Sequence, residues 1–209
     1  MTAPAARDVL SARSTAVAPR LLGARLTSAI GGVDVTVRLT EVEAYEGFDD
    51  AASHAFRGST ERNAVMFGPP GFLYVYFVYG MHWCANVVCG PPGVPSAVLI
   101  RAGEIVEGAG VAADRRPAAR RSAELARGPA RLAQALGLTR AENGTDLLAP
   151  DATVRLELSP TPAPAWAAGP RVGVAAAAQV PLRFWLPAEP TVSAYRPAVR
   201  KRVGPARQT

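Results

Sequence analysis

Apolar and polar side chains alternate along residues 33–45 of the chain. The apolar members of this pattern are Val33, Val35, Val37 and Leu39. The alternation continues to Tyr45 with β-branched residues throughout, so the pattern predicts a β-strand that runs into this tyrosine. A period of two residues places Glu41 and Glu43 on the same face as Tyr45, and we expect one of the two acids to face inward.

The segment after this strand is rich in Gly, Pro, Asp and Ser. Residues 46–71 therefore predict a long loop with a short helix near residues 50–54. A loop of this length in a compact domain is more often functional than idle. Residues 72–89 predict two strands with a break at Gly80, and residues 97–102 predict another short strand.

The first strand of residues 72–89 is aromatic on one face. That face carries Phe72, Tyr74, Tyr76 and Val78. Such a face is typical of core packing. Tyrosine hydroxyls need hydrogen-bond partners or solvent, however, which favours the wall of a cleft, and both interpretations stay open.

The second half of the chain is less regular. Arginine alternates with Ala and Leu at helical spacing along residues 115–137, which predicts an amphipathic helix, and residues 171–186 predict a strand, a turn and a strand. Residues 1–15 predict a flexible tail or a first helix, and residues 197–209 a flexible basic tail. We expect one α+β domain over residues 1–209, built around a curved antiparallel β-sheet with flanking helices.

Composition and charge narrow the possible functions. The chain has 209 residues, of which 49% are hydrophobic, so it is long and apolar enough for a folded domain. Its net charge of +6 indicates a polyanionic partner, because neutralising phosphates releases counterions. Ala, Arg, Pro and Gly are all abundant, however, and this bias explains the basicity as well.

Cysteine usage and hydropathy argue against several other classes. Cys84 and Cys89 are too few for a disulfide scaffold and are interpreted as small core residues. With His54 and His82 they lack the spacing of a zinc site, so no metal is expected. No apolar stretch reaches signal-peptide length or the roughly 20 residues that span a bilayer, and we expect a soluble, cytoplasmic protein.

Several catalytic motifs are missing, and one acid is a candidate. The chain has no GxGxxG after a strand, no P-loop and no GxSxG, which argues against a nucleotide cofactor or a serine hydrolase. Glu43 stands near aromatic residues, where a poorly solvated carboxylate can act as the general base for water. On spacing alone, an ordinary exposed strand glutamate is the better interpretation.

Six blocks of the sequence point to one family. They are TEVEAY (40–45), SHAFRG (53–58) with TERN (60–63), MFGPPGFLYVYFVYGMHWCANVV (66–88), VLIRAGE (98–104), GPARLAQALGL (128–138) and RVGVAAAAQVPLRFWL (171–186). In this order and at these spacings, over roughly residues 19–187, they resemble the alkyladenine (3-methyladenine) DNA glycosylases. The LYVYFVYGMHWCANVV block is the most specific.

The resemblance implies a monofunctional, base-flipping repair enzyme that needs no cofactor. Such an enzyme hydrolyses the N-glycosidic bond of alkylated or deaminated purines in double-stranded DNA and leaves an abasic site. The match places the general base at Glu43, while Arg101 and the backbone carbonyl of Val172 hold the attacking water. We expect a monomer that associates with the nucleoid through DNA binding.

The resemblance also implies a base pocket and a DNA wedge. The pocket residues match at Tyr45, His54, Tyr76 and Asn86. The three rings sandwich the flipped base, and the asparagine rejects the exocyclic amine of normal guanine. Tyr79, beside Gly80 and Met81, matches the wedge that enters the duplex where the nucleotide has left.

One position and one four-residue run depart from the family's pattern. Glu61 stands where many members have the proline of TPRN, which places an acid near the expected phosphate side. The run Ala175–Ala178 replaces a turn that usually contains glycine and an acid, close to the water site. No catalytic match is lost, so we expect an active enzyme.

Three other functions are weighed against this one. A non-catalytic lesion sensor keeps the pocket but has no use for Glu43 and Arg101 as a water site. A hydrolase of free nucleosides has no use for a wedge at Tyr79. A bifunctional lyase needs an amine nucleophile, and the only lysine, Lys201, lies in the basic tail.

Overall fold

The computed structural model of the protein describes residues 2–78 and 80–198. In that part of the chain the α-helices are α1 (Ala3–Leu10), α2 (Ser14–Leu21), α3 (Ala109–Arg115) and α4 (Pro129–Leu136). The strands are β1 (Arg25–Ser28), β2 (Val35–Tyr45), β3 (Leu73–Val78), β4 (His82–Cys89), β5 (Ser96–Glu107), β6 (Val154–Glu157), β7 (Ala167–Gly169) and β8 (Arg183–Trp185). Short 3-10 helices occupy Gly47–Asp49, Ala64–Phe67, Ser122–Glu124 and Arg140–Glu142.

All strands join one antiparallel sheet that curls around the core. Its main path has the order β3-β4-β5-β2-β1-β6, while β8 pairs with β2 and β7 pairs with β8. Strand β2 is central, because β5 pairs along its length while β1 and β8 pair with its first and second halves. The single α+β domain with a curled antiparallel sheet confirms the predicted fold class.

The main hydrophobic core lies between the sheet and the helices. Its fully buried members include Leu10, Leu21, Val37, Leu39, Ile100, Leu132 and Leu136. Each such side chain contributes about 1.5–3 kcal/mol relative to exposure, which holds α1, α2 and α4 against the strands. A second cluster of Ala55, Met66, Tyr74, Val88 and Ala97 attaches the loop of residues 46–71 to β3, β4 and β5.

The strands predicted from two-residue alternation are present, but β2 begins at Val35 rather than Val33, and both Glu41 and Glu43 are buried where only one acid was expected to face inward. Strand β2 ends at Tyr45 as expected, and β3 and β4 lie on either side of Gly80. This glycine has a φ of 66°, in the left-handed region that favours glycine, so it suits the turn between the two strands. The strand predicted at residues 97–102 is present and continues as β5 to Glu107.

The helix predicted over residues 115–137 is wrong for most of its length. Helix α3 ends at Arg115, and α4 covers only the final part of the segment. Pro117 has no backbone N–H to donate, and Gly128 adopts a φ of 125°, so the chain between the two helices is irregular. Between the two helices, Arg116 Nε donates to the carbonyl of Leu125 at 3.2 Å and Arg127 Nε to the carbonyl of Val192 at 2.9 Å, so the arginine spacing does not mark one face of a continuous helix.

Two further local predictions are also wrong. Of the strand, turn and strand predicted over residues 171–186, only the last strand forms, as β8. Pro181 cannot donate to a strand ladder, and Ala177 has a φ of 51°, so residues 170–182 form a loop. The short helix predicted near residues 50–54 is replaced by turns that follow the 3-10 helix Gly47–Asp49.

The ends of the chain were predicted as tails or, at the start, as a first helix. Residues 1–15 contain α1, whose Leu10 is fully buried. Most of the predicted C-terminal tail, residues 199–209, lies outside the described residues. No described helix is both long and apolar enough to cross a membrane.

Candidate active site

A β-bulge between β2 and β5 places the central acid and arginine together. Glu41 pairs with Ala102 and Val42 pairs with Ile100, which leaves Arg101 as an extra residue in β5. Bulges often occur beside active sites, because they re-aim one side chain out of the regular alternation. Arg101 thereby reaches Glu43 with 3.3 Å between Nη1 and Oε1.

Glu43 is fully buried, in contrast to the exposed glutamate that spacing alone favoured. Its Oε1 accepts a hydrogen bond from the backbone N–H of Val172 at 2.7 Å, and its Oε2 accepts one from the Tyr45 hydroxyl at 3.0 Å. Burial raises the pKa of Glu43, although Arg101, the Val172 amide and Tyr45 each lower it. A buried carboxylate with a raised pKa and fixed orientation is suited to general-base catalysis.

Val172 therefore meets Glu43 through its amide, and the role that the resemblance implies for its carbonyl, holding the attacking water, stays a prediction. The preceding residue, Arg171, is almost fully buried and holds this segment in place. Its Nη2 donates to Asp50 Oδ1 at 2.8 Å and its Nη1 to the carbonyl of Ala44 at 3.0 Å. The guanidinium also lies 4.5 Å from the centre of the Tyr45 ring.

The Arg171–Asp50 pair was missed by sequence reasoning, because its members are 121 positions apart. Burial alone would raise the pKa of Asp50, but the hydrogen bonds and charge of Arg171 outweigh it, so this pKa is lowered. The pair joins the loop of residues 46–71 to the loop of residues 170–182. The first loop carries His54 and the second carries Val172. The position of these two residues relative to each other therefore depends on this contact.

An aromatic cavity lies beside Glu43. It is lined by Tyr45, Ala52, Ser53, His54, Met66, Tyr74, Tyr76 and Asn86. The Tyr74 and Tyr76 rings stack with centroids 5.5 Å apart, and His54 meets Tyr76 edge-on at 4.4 Å. The four predicted pocket residues thus lie together, with Tyr74 as an additional member that its position on the aromatic face of β3 had indicated.

The polar groups of the cavity are held in fixed orientations. His54 Nδ1 lies 3.1 Å from the Tyr74 hydroxyl, and Asn86 Nδ2 donates to the Tyr74 carbonyl at 3.1 Å. Burial, followed by the charge of Arg62, lowers the pKa of His54, while burial raises the pKa of Tyr74 to about 12. At neutral pH both side chains are therefore uncharged, which suits a surface for a flat ring.

Asn63 fixes the loop that carries His54. Its Nδ2 donates to the carbonyls of His54 at 2.9 Å and Gly58 at 3.0 Å, and its Oδ1 accepts from the Thr60 amide at 2.6 Å. The side chain is nearly fully buried, so these bonds replace those to water. The TERN block contributes to the family resemblance, but nothing in its sequence indicates this structural role of its asparagine.

The remaining predicted residues have different outcomes. Met81 lies in the turn between β3 and β4 and is 68% exposed, as a wedge at a strand break requires. Tyr79 and Lys201 lie outside the described residues. Cys84 and Cys89 are free and buried, as expected of small core residues, and burial raises their pKa values to about 11 and about 12.

A second, cationic cavity opens next to the buried acid. It has a volume of about 320 Å³ and is lined by Arg101, Arg127, Arg131, Val172, Ser193, Ala194 and Arg196. Arg127 is fixed there by a hydrogen bond from Nε to the carbonyl of Val192 at 2.9 Å. The sequence showed only a general excess of arginine, and the fold gathers four of them around one opening.

Known proteins share this sequence over most of its length. The sequence profile of the methylpurine-DNA glycosylase family matches residues 8–190. A protein of Nocardia farcinica is 56% identical over 189 residues, which cover 88% of this chain and 87% of that protein. One of Streptomyces avermitilis is 53% identical over 196 residues, or 92% of each chain, and both names propose a 3-methyladenine DNA glycosylase. The chain therefore belongs to the methylpurine-DNA glycosylase family, which confirms the resemblance inferred from its sequence blocks.

Proposed function

We propose that the protein is a monofunctional DNA glycosylase of the 3-methyladenine type, which hydrolyses the N-glycosidic bond of alkylated or deaminated purines in duplex DNA. The observation that carries the proposal is the fully buried carboxylate of Glu43, held by three donors at the side of an aromatic cavity. The names of the relatives support the same activity.

In the proposed reaction, Glu43 accepts a proton from water while the water oxygen bonds to C1′ of the damaged nucleotide. The bond from C1′ to the purine nitrogen breaks, and the base leaves with the bonding electron pair. Positive charge develops on the sugar, so a carboxylate near C1′ helps both as a base and as a counter-charge. Arg101 keeps the carboxylate oriented and, with the backbone carbonyl of Val172, is the candidate for holding the water. No cofactor takes part.

Access to this site requires the nucleotide to leave the DNA helix. Extrusion costs a few kcal/mol and is easiest for damaged or mispaired bases. Stacking on Tyr45, His54 and Tyr76 repays about 1–3 kcal/mol for each base stacked on an aromatic ring, with little discrimination between bases. Selection therefore depends on shape and on edge contacts, for which Asn86 is the candidate against normal guanine.

The exposed surface supplies the DNA contacts in this proposal. Arg127, Arg131 and Arg196 around the cationic cavity are candidates for phosphate contacts beside the flipped nucleotide. Met81, at the turn between β3 and β4, and Tyr79, two residues earlier in the sequence, are the candidates for the wedge that fills the vacated stack. We expect a monomer that acts on chromosomal DNA.

The proposal is tested by incubating the purified protein, without added metal or cofactor, with duplexes that carry a single hypoxanthine or ethenoadenine and with methylated duplex DNA. We expect free base and alkali-labile abasic sites. Matched free nucleosides should not be cleaved. Binding to every damaged duplex without release of base would instead identify a lesion sensor, and equal turnover of nucleosides would identify a nucleoside hydrolase.

A further inference from the structure

Glu41 is a second fully buried acid, two residues before Glu43, and the proposed reaction does not use it. Its Oε1 accepts hydrogen bonds from Arg101 Nε at 2.9 Å and from Arg183 Nε at 2.7 Å. The amide of Ser193 donates to Oε2 at 2.7 Å, and the hydroxyl of Ser193 donates to Oε1 at 2.9 Å. Four donors from β5, β8 and the segment after β8 thus converge on one carboxylate.

Arg101 connects this carboxylate to the catalytic one. Its Nε is bound by Glu41, while its Nη1 lies 3.3 Å from Glu43. The cluster of Glu41, Glu43, Arg101 and Arg183 has two acids and two arginines, so its charges balance while both acids are ionised. When Glu43 takes up the proton of water, Glu41 is the acid that still balances Arg101, and an unpaired buried charge is costly.

We propose that Glu41 is a positioning residue for the proposed glycosylase reaction, on which this inference rests. It holds Arg101 by Nε so that Nη1 stays at Glu43. The negative charge of Glu41 also attracts Arg101. Arg101 therefore stabilises the ionised form of Glu43 less strongly, and Glu43 remains basic enough to accept a proton. Loss of the positioning effect should lower the rate of base release, and loss of the charge effect should change the pH dependence of that rate.

The charged and titratable groups around Glu43 define the direction of the pH effect. They are Glu41 and Tyr45 on β2, Arg101 on β5, Arg183 on β8, Cys84 on β4 and Arg171 after β7. Glu41 is the only other acid in this set. Removing its charge leaves the cations unopposed, which lowers the pKa of Glu43, while removing the charge of Arg183 raises it.

The experiment measures single-turnover release of hypoxanthine from a duplex across pH for Glu41→Gln and Arg183→Gln. We expect Glu41→Gln to lower the plateau rate roughly 100-fold, the cost of a small misplacement, and to move the acid limb to lower pH. Arg183→Gln should move the limb to higher pH. Glu104→Gln is the control, since Glu104 pairs with Arg38 across β2 and β5 at 2.8 Å, outside the site. This variant should leave both the plateau rate and the position of the acid limb unchanged.

Folding of each variant is checked by thermal unfolding. Acid limbs that stay at the wild-type position in folded variants would overturn the proposal and leave Glu41 a structural role only. If the charge variants do not fold, Ser193→Ala removes the hydroxyl between Glu41 and Arg101 without changing charge. A severalfold loss of rate in that variant supports the proposal, and an unchanged rate overturns it. A wild-type protein that releases no base would contradict the proposed function itself.

Discussion

The acid–arginine cluster lies on strands alone, whereas the aromatic pocket and the segment beside Glu43 also use loops. Tyr45, Tyr76 and Asn86 of the pocket lie on β2, β3 and β4. The cluster residues Glu41, Glu43, Arg101 and Arg183 all lie on paired strands, and the direction of each side chain is set by the strand register or, for Arg101, by the β-bulge. His54 and Val172 lie instead on loops, where no strand ladder fixes them. Their positions depend on a few polar contacts, so a single lost contact should matter more on the loops than on the strands.

The largest effect on stability is expected when the loop contact of Arg171 is removed. Arg171→Met leaves the buried Asp50 unpaired, which costs about 3–5 kcal/mol in the free energy of unfolding. Because Val172 follows directly, base release should slow as well. Thermal or denaturant unfolding and single-turnover rates measure the two effects.

Two variants serve as controls for this loss. Asp50→Asn with Arg171→Met removes both charges and should recover much of the stability, because no buried charge is left unpaired. Arg38→Met removes two partly exposed ion pairs, with Glu104 on β5 and with Glu189, and should cost no more than about 1 kcal/mol for each pair. Equal losses of unfolding free energy for Arg171→Met and Arg38→Met would contradict the claim that a lost contact matters more on the loops than on the strands.

The next effect concerns Asn63, which holds the His54 loop. Asn63→Ala removes three hydrogen bonds from a buried site and should cost about 1–3 kcal/mol in unfolding free energy. Lesion binding should weaken more than the rate at saturating enzyme, because the pocket is disturbed while Glu43 is not. Asn143→Ala is the matched control, since Asn143 accepts one bond, from Val75 on β3, at 2.9 Å. A larger loss of lesion binding in the control would contradict the account.

The pH dependence of the rate sharpens the same comparison. Since Glu43 must be ionised, the rate should fall as pH drops through its raised pKa, with a midpoint above the ordinary glutamate value of about 4.3. A midpoint at or below that value would show that burial does not dominate at Glu43. The raised pKa also means that the contribution of Glu43 to stability is present in acid and lost as pH rises through the folded value.

Asp50 should show the opposite dependence of stability on pH. Its lowered pKa makes its contribution present above the ordinary aspartate range and lost as pH falls through the folded value. Unfolding temperatures measured across the acid range should therefore drop less steeply for Asp50→Asn than for the wild type. Parallel curves would contradict the role of the Arg171 contact.

The smallest expected effect is on the salt dependence of DNA binding, through an arginine of the cationic cavity. Arg131→Gln should reduce the slope of log affinity against log salt by about 0.9 if this arginine neutralises one phosphate. Arg25→Gln removes the same charge from an exposed position on β1 and should leave the slope unchanged. Binding titrations at several salt concentrations distinguish the two variants, and equal slopes would remove Arg131 from the DNA contacts.

The sequence predicted what depends on local periodicity and missed what depends on distant contacts. Alternation was sufficient for β2 and for the hairpin around Gly80, because each strand shows its own pattern. Helical spacing failed at residues 115–137. There the arginines predicted one continuous helix, but Pro117 and Gly128 interrupt it.

The candidate site shows the same limit. The resemblance located Glu43, Arg101 and the pocket residues, and the fold brings them together. The contacts of Arg171 with Asp50 and of Ser193 with Glu41 join positions more than a hundred residues apart, and no periodicity or spacing reports such pairs. Burial of Glu43 likewise follows from strand pairing on both sides of β2, which the alternation of one strand does not reveal.

The central claim is that the buried carboxylate of Glu43 activates the water that releases the base. The most direct test compares Glu43→Gln with the wild type in two assays on the same hypoxanthine duplex, single-turnover base release and equilibrium binding. We expect binding within a few-fold of wild type and a rate lower by at least about 10²–10⁴, the usual contribution of a general base. Substantial base release by the folded variant would contradict the account.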